Sequence, residues 1–123
     1  MALAQDMMKG GMSAFQARGA NGTSNVTITA GTTQTQAGAT ALTASTNVIT
    51  TVTTALDGVS VPNTEIGDSL NILNIGGNVC TVYPPTGCRI NQLATNSGFV
   101  LPNNTAVTIR KFSSTRFMAF LSA

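Results

Sequence analysis

Apolar and polar positions alternate along this chain in short runs, each broken by Gly, Pro or Asn, a pattern that predicts strands and not helices. Val26-Thr27-Ile28-Thr29 alternates until Ala30-Gly31-Thr32-Thr33 interrupts it. Residues 34–43 are small and uncharged and read as loop with a short extended stretch. Residues 47–56 read as one strand, with Val48, Val52 and Leu56 on one face beside Thr50 and Thr54, and Ile49 and Ala55 on the other. Both faces are half apolar, as in a strand covered on each side.

From residue 57 onward the punctuation is regular. Residues 59–62 are extended, 63–67 turn, and 68–75 form a strand. Gly76-Gly77-Asn78 then reads as a tight turn that makes 79–83 the hairpin partner of 68–75. Pro84-Pro85-Thr86-Gly87 turns the chain again, and residues 99–101 lead through Pro102-Asn103-Asn104 into 106–112. Ser113-Ser114-Thr115 closes a last hairpin onto 117–121. Short strands at this spacing predict an all-β, jelly-roll-like sandwich or barrel. Tyr83, Phe99, Phe112, Phe117 and Phe120 all fall in this region and are expected to form the densest part of its core.

Residues 1–22 differ: they are rich in Met, Ala and Gly, with a short helix expected over 2–9 and a break at Gly10-Gly11. The segment buries little alone. We read it as an extended N-terminal arm, with Met7, Met8, Met12 and Phe15 docking on neighbouring subunits because Met adapts to irregular surfaces. Residues 23–123 make the single β-domain.

Composition changes the picture by removing chemistry. The 123 residues hold 20 Thr, 11 Asn and 9 Ser but only 6 Lys and Arg, 4 Asp and Glu, and no His. Without His, general acid–base work near neutral pH loses its usual carrier. Gly67-Asp68-Ser69-Leu70 spells the nucleophile block of the GDSL esterases, yet Ser69 has no histidine to activate it, so no catalytic residue is assigned. Asp57, Glu65 and Asp68 share a loop-rich stretch but lack the alternating acid pattern of a calcium loop, and no phosphate-binding Gly loop is present. No metal or cofactor is expected. Arg89, Arg110, Lys111 and Arg116 are scattered and do not form a basic stripe, which argues against nucleic acid as a partner. The run from Phe117 to Leu121 is too short to cross a bilayer, and the first residues lack a secretory pattern, so assembly in the cytoplasm is expected. Cys80 and Cys88 flank a turn, and are expected to be two buried thiols in a reducing compartment, a late disulfide being the alternative. A surface this poor in charge suits contact with other protein, which predicts an assembly.

Residues 67–78, then Val82-Tyr83-Pro84-Pro85-Thr86-Gly87, then Ile90-Asn91-Gln92-Leu93, resemble small structural proteins of tailed bacteriophages, among them capsid cement (decoration) proteins. The resemblance spans residues 45–121; where that family often carries Trp near the last strand, this chain has Phe117 and Phe120. It implies a virion protein on the outer surface of the expanded head, trimeric, with the major capsid protein as partner. The alternative it leaves is a head-fibre or tail module that binds a receptor or glycan, for which Tyr83 is the one aromatic candidate.

Overall fold

A computed structural model describes residues 23–122, so the expected helix over 2–9 and the arm residues Met7, Met8, Met12 and Phe15 lie outside the described residues. Ten strands follow one another: β1 (Ser24–Thr29), β2 (Thr40–Ala41), β3 (Thr46–Thr51), β4 (Gly58–Ser60), β5 (Ser69–Asn74), β6 (Cys80–Tyr83), β7 (Arg89–Ile90), β8 (Phe99–Leu101), β9 (Thr105–Ser113) and β10 (Arg116–Leu121). Among the described residues there is no helix. The all-β expectation holds.

The connectivity does not follow a jelly roll. One sheet has six strands in the order β1-β3-β5-β9-β10-β7, and the other has four in the order β2-β4-β6-β8. The first six strands therefore alternate between two sheets, and each lies parallel to the strand one coil before it: β1 beside β3 beside β5, and β2 beside β4 beside β6. That is a short β-solenoid. Its far end is closed by antiparallel strands, β9 against β5, β10 against β9 and β8 against β6, with β7 parallel to β10. A jelly roll is antiparallel throughout, so the parallel coils exclude it.

The hairpin expected between 68–75 and 79–83 is absent for the same reason. Gly76-Gly77-Asn78 is a corner that carries the chain from β5 in one sheet to β6 in the other. Backbone and amide bonds to the preceding coil hold the corner: the Val52 N–H donates to the Gly76 carbonyl at 3.2 Å, and the Asn78 side-chain amide donates to the Val52 carbonyl at 2.7 Å. A Cβ on Gly76 would come within 2.7 Å of the Val52 backbone nitrogen, so only glycine permits this approach. Asn74 is fully buried behind the corner; its amide donates to the carbonyls of Asn78 and Leu101, and its oxygen accepts from the Gly76 N–H. Asn47, also fully buried, does similar work one coil earlier, donating to the carbonyls of Ala44 and Asn71.

One core lies between the sheets, built from β-branched and aliphatic side chains such as Ile49, Val59, Leu70, Ile72, Val82 and Ile109. Residues 47–56 do not form one long strand: β3 ends at Thr51, Val52 is buried, and the chain turns through residues 53–57. Asp57 closes that turn by accepting from the Thr54 N–H at 3.0 Å. The aromatic core expected from the C-terminal strands reduces to Phe117, with Phe99 packed against its margin; Phe112 and Phe120 are exposed.

Candidate functional site

The parity of β9 and β10 decides which side chains meet the core. On β9, Val107, Ile109 and Lys111 are buried, so Arg110 and Phe112 emerge on the other side. On β10, Phe117 is buried and Ala119 packs against the core, which turns Arg116, Met118 and Phe120 outward. Met118 stands opposite Arg110 and Phe120 opposite Thr108. The outer face of the six-stranded sheet thus carries Met118 (38% exposed) and Phe120 (58%), with Leu121 exposed at the strand end. The register between β9 and β10 slips beside Arg116, a bulge that sets the Arg116 guanidinium 5.7 Å over the Phe112 ring. Farther along the same face the neighbours are Thr46, Ser69, Asn71 and Thr108, all uncharged. The surface is apolar and hydroxyl-rich, with Arg110 as an exposed charge.

A second feature of the same sheet is its open end. Among the described residues β1 pairs with β3 alone, and five of its six residues, all but Ile28, are exposed. An unpaired strand edge offers backbone donors and acceptors to another chain.

The remaining polar groups are spent on structure. Ser69 is exposed on β5 opposite Arg110, which leaves the Gly67-Asp68-Ser69-Leu70 tetrapeptide with a buried Asp68 and an outward Ser69. Asp57 accepts from the Gln34 side-chain amide as well as from Thr54, and Asp68 accepts from the Glu65 N–H at 3.0 Å; each carboxylate serves its own turn. Among the described residues no three His, Cys, Asp or Glu side chains gather in a metal-binding group. Tyr83 donates its hydroxyl to the Gln34 carbonyl at 2.8 Å. Its ring is flanked closely on both sides, since a Cβ at Gly58 would come within 2.6 Å of Cε2 and one at Gly98 within 3.1 Å of Cε1. The ring is half-buried, with its hydroxyl bonded and both edges in close contact. Cys80 and Cys88 are both buried and free, and burial pushes the Cys80 thiol up to about 12.

No protein-family model matches the chain, and no curated protein matches it. Among the described residues no helix is long and apolar enough to cross a membrane.

Two arrangements escape a sequence reading. The outward Met118 and Phe120 look like core residues by composition; the signal that places them outside is their parity with Phe117. Lys111 looks like an ordinary surface base, yet it continues the inward series Val107, Ile109, Lys111 and is 7% exposed. Its ammonium donates to the Asn63 side-chain oxygen at 2.9 Å and to the Thr64 carbonyl at 2.7 Å, and lies 5.7 Å from the centre of the Phe117 ring.

Proposed function

We propose that this chain is a capsid cement protein of a tailed bacteriophage, which binds the outer surface of the expanded shell and stabilises it as a trimer. The observation that carries the reading is the outer face of β9 and β10, where Met118 and Phe120 stand exposed on a sheet otherwise faced mainly with uncharged side chains. Such a face loses little by desolvation and gains apolar burial when it meets a protein surface. The resemblance of residues 67–93 to phage decoration proteins supplies the kind of surface, that of the major capsid protein.

The small, rigid β-body fits the task. Cement proteins act by repetition: many modest contacts multiplied over a symmetric shell resist internal pressure through avidity. Residues 1–22, with Met7, Met8, Met12 and Phe15, add a docking arm to the β-domain in this reading. Tyr83, half-buried with its hydroxyl bonded, favours the capsid reading over glycan binding by a head-fibre or tail module.

Quantitative mass spectrometry of purified virions tests the proposal. A copy number near that of the major capsid protein is expected. A few dozen copies would place the chain on a fibre or tail, and absence from particles would remove the virion role.

A further inference from the structure

Asp68, just before β5, lies in one inward row with Lys111 on β9 and Phe117 on β10. The Lys111 N–H donates to the Asp68 carbonyl at 3.0 Å and the Gly67 N–H to the Lys111 carbonyl at 2.8 Å, which sets Asp68 opposite Lys111, while Phe117 is paired with Lys111 on the other side. All three side chains are buried, at 3%, 7% and 1% exposure. The acceptors of the Lys111 ammonium are two neutral oxygens, and one of them belongs to a carboxamide. Asp68 keeps one carboxylate oxygen, Oδ1, buried with no hydrogen-bond partner. A buried ammonium and a buried carboxylate without full sets of partners are costly to maintain as spectators.

We propose that Lys111 and Asn63 join in an intramolecular isopeptide bond, with Asp68 handling the protons. The Lys111 Nζ rests 2.9 Å from the Asn63 Oδ1, hydrogen-bonded to the carboxamide whose carbon it would attack, which holds the two groups side by side. Gly67 and Asp68 share Lys111 across a bulge, and the Asp68 carboxylate makes no ion pair with the ammonium; in the proposed reaction its free Oδ1 takes the ammonium proton once the lysine stem swings toward it. The resulting amine attacks Cγ of Asn63, and a Cγ–Nζ bond forms. One of the two protons left on Nζ stays in the new amide. The other passes through Asp68 to Nδ2 as the Cγ–Nδ2 bond breaks. Nδ2 leaves as ammonia and carries off the proton first taken by Asp68, as ammonium. Asn63 is exposed, so the leaving group has an open path to water. The step needs no oxidant, metal or added reagent. It also removes a buried positive charge from the core.

The bond would clamp the loop between β4 and β5 to β9, across a span of 48 residues, and so tie the parallel coils to the strands that cap them. Cross-links over long spans restrict the unfolded chain most.

Intact-mass and peptide mass spectrometry of the purified full chain test the proposal. The expected result is a chain lighter by one ammonia, with a proteolytic product in which the Lys111 and Asn63 peptides are joined. An unshifted mass would overturn it. So would an ammonia loss with the two peptides separate, which marks cyclisation of some asparagine to a succinimide. Asn63→Ala removes the carboxamide, and with it one acceptor of the Lys111 ammonium, and is expected to abolish the ammonia loss and lower the thermal midpoint. Asn63→Asp is expected to form the same cross-link with loss of water in place of ammonia. Asp68→Asn is expected to slow the reaction, and cross-linking at the original rate in a folded Asp68→Asn chain would overturn the role given to Asp68.

Discussion

At Cys80 the fold and the chemistry are set by the same fact. The side chain is fully buried on β6, and desolvation raises its thiol from the ordinary value of 9.0 to about 12. The thiol is neutral when protonated, so the stability linked to it is complete below about pH 9 and is lost as pH climbs toward 12, where only the unfolded chain has released its proton. Denaturant titrations should show stability falling by about 1.4 kcal/mol per pH unit over that window on account of this group. Cys80→Ala should lack that slope; an identical pH profile in the variant would show that the thiol is not responsible. The two cysteines were legible as small buried hydrophobes because a free thiol in a reducing compartment behaves as one, and both are buried and free. The phenylalanines were less so, since composition groups Phe112, Phe117 and Phe120 together while strand parity separates them.

Strands were readable and their partners were not. Expected runs at 68–75, 99–101, 106–112 and 117–121 fall within a residue or two of β5, β8, β9 and β10, because alternation is a local property. The β9–β10 hairpin is also as expected, closed by Ser113 to Thr115. The turn at Gly76-Gly77-Asn78 carries the same local signal whether the chain reverses or changes sheets. What selects the corner is distant in sequence, the Val52 backbone and the Leu101 carbonyl. Buried asparagine amides are therefore the fasteners of this solenoid. Asn74→Ala removes three hydrogen bonds at once and leaves two carbonyls and the Gly76 N–H without their partner. We expect a loss of about 1–3 kcal/mol in unfolding free energy, seen as a lower denaturant midpoint with an unchanged slope. A variant as stable as the parent would mean that water takes over the corner.

For the whole molecule, the outer face of the six-stranded sheet and the core make separate demands. Met118 and Phe120 point away from the core, so Met118→Asp with Phe120→Asp should leave the fold intact. On the capsid reading, the same pair should reduce occupancy on washed particles by an order of magnitude or more, at about 1.4 kcal/mol per tenfold. Circular dichroism of the free chain separates lost attachment from lost structure, and full occupancy of a folded variant would move the contact elsewhere. The sheet order has one more consequence, in time instead of space. The last long strands made, β9 and β10, do not sit at an edge; β9 fills the gap between β5 and β10, and the short β7 hangs on β10. The β5 edge of the coils must wait, uncovered, until the C-terminal third of the chain has been synthesised. Folding of this protein therefore trails translation, and during that interval the nascent chain exposes strand edges to its neighbours.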